Sequence, residues 1–248
     1  LRVRGRRVGF VAVAQFLNGP ATGKELVHTV DYSDTSQAGR FLEWVASQAP
    51  TYDLFIVSFH GGREYALEPE PAKVRFFDFL VRGGADIVWQ DQPHEVQPRA
   101  DAMVLHSTGN FISGQTWTLG PEHADSHRAY TGDGALFRLR AHWDEAGRLV
   151  LHHDPLFVSN YRHPTHGMVV RALDPLIADD LDSRWKRFYV VRRNALPSCN
   201  LMTFWTDPFP NVLLPTRIAR PVSCRHPATI SAALALPSFV RMTTGMSG

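Results

Sequence analysis

Hydrophobic positions along the first 112 residues alternate between two patterns. Continuous apolar runs occur at residues 7–15 (RVGFVAVAQ), 53–59 (DLFIVSF), 85–89 (ADIVW) and 102–106 (AMVLH), each followed within a few residues by Gly, Pro or Asn. Short runs of this kind, bounded by turn residues, predict strands buried on both faces of a parallel sheet. Between them the spacing changes to that of helices. Phe41, Leu42, Val45 and Ala49 share one face of residues 36–49, which Pro50 stops, and Val74, Phe77, Leu80 and Val81 share a face of the segment closed by Gly83 and Gly84.

Strand, helix, strand, helix, strand, strand is the order of βαβ units with right-handed crossovers, so the expected fold class is α/β with a mostly parallel sheet. From residue 134 the pattern turns antiparallel. The runs GALFRLR (134–140) and RLVL (148–151) flank the turn sequence Asp144-Glu145-Ala146-Gly147, a hairpin signal. Beyond residue 174 the periodicity fades, and Pro197, Pro208, Pro210, Pro215, Pro221, Pro227 and Pro237 interrupt every candidate element. Residues 195–248 are therefore expected to be loosely ordered, and the chain to divide into a domain over 1–175 and a tail over 176–248.

Composition narrows the function classes. The 248 residues are 44% hydrophobic and 20% charged, enough to bury a core, and no apolar stretch approaches the ~18 residues of a membrane-spanning helix. The net charge is only +2. Its basic clusters, Arg2, Arg4, Arg6 and Arg7, then Lys186, Arg187, Arg192 and Arg193, are not interleaved with aromatics as a nucleic-acid groove requires, so no nucleic-acid partner is expected. Cys199 and Cys224 have no metal-binding spacing, and either a disulfide or two free thiols fits them. The chain opens on Leu1 with no secretory pattern, as expected of a segment of a longer protein.

Candidate chemistry collects at the carboxyl ends of the predicted strands, where open α/β sheets build their sites. The second run ends in His60, followed by Gly61 and Gly62, which permit close backbone approach. The third ends in Gln90-Asp91-Gln92-Pro93-His94 and the fourth in Ser107-Thr108-Gly109-Asn110-Phe111. His60 reads either as a metal-ligating imidazole fixed by packing on both sides or as a strand-end histidine satisfied by a hydrogen bond. Glu64 reads as a carboxylate orienting His60 or as a solvated loop acid, and His94 as a ligand or a structural histidine. Gln92 offers an amide oxygen, a poor donor for a transition metal. Asp91 is the nearest anionic substitute, and it would face away if the backbone stayed extended. His123 and His127 are four apart but lie in a segment without helical periodicity, and His152, His153, His163 and His166 read as strand or surface residues. No nucleophile elbow, phosphate loop or dinucleotide fingerprint is present.

Taken together and in order, HGGREY (60–65), GGAD (83–86), QPHEVQ (92–97) and STGNF (107–111) resemble the motifs of the CapA family. These are poly-γ-glutamate capsule-synthesis proteins, whose fold is similar to that of calcineurin-type metallophosphoesterases. The resemblance spans residues 5–160. It implies a metallophosphoesterase-like sandwich of mixed sheets with flanking helices, of which this chain would be the C-terminal portion. It also implies a two-metal site with cations such as Mn, Fe or Zn about 3.5–4 Å apart that activate a water. Carried over residue by residue, His60 and His94 match metal ligands, Gln92 stands at a ligand position, and Glu64, Asp91 and Asn110 line the site. Gln90 and Gln92 depart from the glycine and first histidine of the family's His-Pro-His motif, and the remaining ligands would lie before Leu1. The implied partners are an acidic polymer such as poly-γ-glutamate and a membrane-bound capsule synthase, and the implied location is the surface or membrane of a bacterium. Two other readings use no metal: a non-catalytic component that binds such a polymer in the same cleft, and a carbohydrate- or peptide-binding module.

Overall fold

The computed structural model describes residues 1–19, 26–97, 104–116, 128, 130–163, 166–174, 187, 190 and 222–224. The predicted parallel layer is present. β1 (Arg2–Val3), β2 (Arg6–Ala14), β3 (Leu54–His60), β4 (Ile87–Gln90) and β5 (Val104–Leu105) form a five-stranded sheet in that spatial order. β2 to β5 run parallel, and β1 pairs antiparallel with β2. The register places Ala14 beside His60 and Phe59 beside Gln90, so β2, β3 and β4 end in one row.

Each crossover helix is set by local chemistry. α1 (Thr35–Gln48) starts where the Asp34 carboxylate accepts the backbone N–H groups of Ser36 and Gln37, at 2.9 and 3.1 Å, satisfying two donors that the first turn leaves unpaired. It buries Ala38, Phe41, Leu42 and Val45. α2 (Pro71–Arg82) begins with Pro at its first position and ends at Gly83, with Gly84 at φ +105°. Its buried face differs from the expected one. Val74 and Val81 are only partly covered, while Lys73, Phe76, Phe77, Phe79 and Leu80 are buried, because the sheet takes the stripe 73, 76, 77, 80.

The main core lies between these helices and the sheet. Phe59 meets Phe77 edge-on (5.5 Å, 74°) and Phe76 similarly (5.7 Å, 63°), with Phe41, Leu42, Val45, Val57 and Leu80 around them. Edge-to-face packing suits the quadrupoles of these rings. On the opposite face, Ile87 packs with Leu149 and Leu151 of a second sheet, helped by Leu54, Ile56, Leu139 and Trp143. The Arg6 guanidinium lies 4.3 Å over the Trp143 ring and adds a cation–π contact between the layers.

The second sheet is the expected hairpin, longer than its sequence signal: β6 (Asp133–Trp143) and β7 (Leu149–His163) pair antiparallel around the 144–147 turn. β8 (Gly167–Ala172) pairs antiparallel and β9 (Val222–Cys224) parallel with β7. β9 is a short element within 195–248, the stretch expected to be loosely ordered. A three-residue run needs no periodicity of its own when β7 supplies an open edge to pair with. The rest of 195–248, with Cys199 and with His123 and His127, lies outside the described residues. Among the described residues no helix is long and apolar enough to cross a membrane.

Candidate functional site at the strand ends

The row of strand ends brings His60 and Asp91 together. Phe59 is paired with Gln90, so the next residues, His60 and Asp91, leave neighbouring parallel strands side by side. His60 Nδ1 lies 2.9 Å from Asp91 Oδ1. Asp91 is thus placed on the side of His60, apart from Gln92 and His94. β4 stops at Gln90, and a turn begins at Gln92. The His60 side chain is half-exposed, at 49%, and held by this hydrogen bond rather than by packing on both sides. An ionised carboxylate only accepts, so Nδ1 donates, and a neutral His60 imidazole presents its Nε2 lone pair outward.

A second constellation forms around His94. Its Nδ1 lies 3.0 Å from Asn110 Oδ1. The orientation of the Asn110 amide is fixed, because its Nδ2 donates to Thr131 O (2.8 Å) and to Gln115 Oε1 (2.9 Å). Oδ1 therefore accepts from His94 Nδ1–H, and His94 also exposes Nε2 as the free nitrogen, 4.0 Å from Glu64 Oε1. Gln92 is buried and donates its amide N–H to the same Glu64 oxygen at 3.2 Å. Glu64 thus faces His94 rather than His60.

The backbone at this constellation is unusual. Tyr65 and His94 both occupy the left-handed region, at φ +57° and +60°, which non-glycine residues rarely adopt. They are held there by each other. Tyr65 N donates to Pro93 O (2.9 Å), the two rings stack at 5.8 Å and 28°, and the Tyr65 hydroxyl accepts from Gln115 Nε2 (3.1 Å). The Arg128 guanidinium lies 4.4 Å over the Tyr65 ring and brings a cation to the rim.

Below the row lies a polar layer, partly buried at Gln15 and Glu70 and fully buried at Gln90, Lys73 and His106. Gln15 Oε1 accepts from Gly62 N (2.8 Å), the Gln90 amide donates to Gly61 O, and Glu70 accepts from Arg63 N (3.1 Å) and from the Tyr32 hydroxyl (3.0 Å). Burial, and then the Glu70 charge, push the Tyr32 phenol upward. Lys73 is wholly buried, and burial pushes its ammonium down to about 7 while Glu70 opposes the shift. His106, stacked flat on Phe77 at 5.5 Å and 7°, is pushed down to about 3 by burial and then by Lys73. Gln15, Glu70 and Lys73 were not candidates from sequence. The signal for Lys73 was available, since a lysine at 73 shares a face with Phe76, Phe77 and Leu80.

The six sequence candidates thus form two groups, His60 with Asp91, and His94 with Glu64, Gln92 and Asn110. In donor chemistry both imidazoles fit a divalent cation, each with Nδ1 anchored and Nε2 free. In number they fall short: among the described residues no three His, Cys, Asp or Glu side chains converge to hold a metal ion.

A helix-flanked, mostly parallel sheet backed by an antiparallel sheet, with polar groups gathered at the strand ends, is a metallophosphoesterase-like α/β fold. Residues 1–115 match the family model described as "Bacterial capsule synthesis protein PGA_cap". The chain is similar to the capsule biosynthesis protein CapA of Bacillus anthracis, 33% identical over 75 residues, which is 29% of this chain and 18% of that protein. It is also similar to the PGA biosynthesis protein CapA of Bacillus subtilis (strain 168), 27% identical over 81 residues, which is 32% of this chain and 21% of that protein. These matches support a CapA-family assignment for this segment. The match spans about a fifth of the length of these curated relatives.

Proposed function

We propose that this protein acts in the synthesis of a bacterial capsule or related surface polymer, through a cation-dependent, hydrolase-type site at the strand ends. The observation that carries the reading is that His60 and His94 each have Nδ1 engaged by an oxygen acceptor, leaving both Nε2 atoms as candidate donors. His60 and His94 would hold a divalent cation such as Mn, Fe or Zn, with Asp91 and Asn110 fixing the two rings. Such a cation polarises a phosphoryl or related oxygen and lowers the pKa of a bound water. Further ligands would come from outside the described residues.

The chain's own residues have separate tasks. Asp91 holds the His60 tautomer, and Asn110 holds that of His94. Arg128 at the rim offers a guanidinium to an anionic group of a polymer such as poly-γ-glutamate. A membrane-bound synthase at the cell surface is the partner that the family resemblance implies for this role. A second reading, polymer binding without metal, is supported by Gln92, whose amide N–H is committed to Glu64 in a position where the family places a ligand.

Titration of the metal-free protein with Zn²⁺ or Mn²⁺, in the wild type and in His60→Ala and His94→Ala, separates the two. Saturable binding weakened about 10-fold or more by each substitution supports the cation site. Binding unchanged by both, or absent throughout, would sink it and leave the polymer reading.

A further inference from the structure

We propose that Lys73 is a positioning residue whose buried side-chain amine ties together the strand-end loops carrying the candidate site and so sets Glu64 and Tyr65 against His94. The proposal rests on the reading of His94 and Glu64 as site residues.

Two loops meet at this nitrogen, and Gln97 links it to a third. Lys73 Nζ donates to Gln97 Oε1 at 2.6 Å and to His106 O at 3.2 Å. Gln97 closes the loop that carries Gln92 and His94, and its own Nε2 donates to Ala66 O at 2.7 Å, at the end of the loop that carries Glu64 and Tyr65. Gln97 N donates to Ser107 O (3.2 Å), and His106 opens the segment that leads to Asn110. Directly or through Gln97, the amine therefore connects all three segments that converge on the His94 imidazole, from α2.

Its placement is costly for a purely structural role. Lys73 is 0% exposed, and an apolar side chain would complete the stripe of Phe76, Phe77 and Leu80 without desolvating a charge. Its charge is also labile, since burial holds it near 7, with Glu70 and His106 as the titratable groups facing it. A neutral amine keeps two N–H donors, so Gln97 and His106 O stay satisfied in either state.

What the amine does not hold is His60. That ring is fixed by the β3–β4 register and Asp91. The two imidazoles should therefore respond differently to its loss.

The test is long-range ¹H–¹⁵N spectroscopy of the histidine rings in the metal-free chain, with His60 and His94 signals assigned by His→Gln variants and thermal unfolding run in parallel. In Lys73→Met we expect His94 to lose its single Nδ1–H signature and become a mixture of tautomers, while His60 is unchanged. Gln97→Glu keeps an acceptor for Lys73 but cannot donate to Ala66 O, and it should move His94 in the same direction; it carries the test should Lys73→Met not fold. Lowered melting with His94 signals superimposed on wild type in the folded variants would overturn the proposal and leave Lys73 a structural group only. No metal is present in this experiment, so failure of the cation site in the titration above leaves its outcome standing.

Discussion

Lys73→Met gives the most quantitative prediction. The wild-type ammonium titrates near 7 in the folded chain and at its ordinary 10.5 when unfolded. Between those values the unfolded chain binds more protons than the folded one, so stability rises with pH. A separation of that size corresponds to on the order of 5 kcal/mol, accumulating at about 1.4 kcal/mol per pH unit from pH 7 towards 10.5. Met removes this dependence. It also leaves Gln97 Oε1 and His106 O without their donor, at about 1–3 kcal/mol each, but that loss does not vary with pH. Urea unfolding of both proteins at pH 6.5, 7.5, 8.5 and 9.5 isolates the slope, because titrations of groups that do not face Lys73 cancel in the difference. Its neighbour His106 titrates mainly below this range, as carboxylates ordinarily do. The difference, wild type minus variant, is expected to be flat below pH 7 and to climb above it. Parallel stability curves across the four pH values would refute the burial of a titrating amine.

Three further outcomes follow from the same geometry. His106 titrates near 3 when folded and at 6.5 when unfolded, so wild-type stability should fall as pH drops from 6.5 towards 3, and His106→Phe should flatten that loss in calorimetric scans. Gly62→Ala places a Cβ at φ +90°, 3.1 Å from Gln90 Nε2 and 3.2 Å from Glu70 Oε2; a loss of about 1–3 kcal/mol in chemical unfolding is expected, together with altered His60 ring signals. Phe76→Ala empties a wholly buried ring site between Phe59 and Phe77 and should cost about 3–5 kcal/mol by the same assay, leaving the His60 and His94 tautomers in place.

The parallel layer was legible in the sequence because its strands are continuous apolar runs that end in turn residues, and one-dimensional periodicity carries that information. The row of strand ends was legible too, since His60, the 90–94 segment and the 107–111 segment all close such runs. What the sequence does not contain is register. His60 meets Asp91 only because Phe59 pairs with Gln90, and His94 meets Asn110 only because the 108–110 segment pairs with Val96 on one side and Asp133 to Ala135 on the other. The left-handed backbone at Tyr65 and His94 was likewise hidden, since Tyr is not a residue that turn chemistry favours there and no local pattern marks which histidine adopts it. Lys73 lay on a visible apolar face, but its role was not legible there. A charged side chain on a helix is ordinarily read as solvated, and only its buried acceptors explain it inside the core.

The central proposal is that His60 and His94 would offer their Nε2 atoms to a divalent cation at the strand ends. Elemental analysis of the longest expressible form of the protein after dialysis, alongside hydrolysis of a generic phosphodiester, tests it most directly. The account predicts retained divalent metal and phosphodiester hydrolysis, with the metal lost on His60→Ala. Metal-free protein without activity, or metal retained at unchanged stoichiometry in His60→Ala, would contradict it.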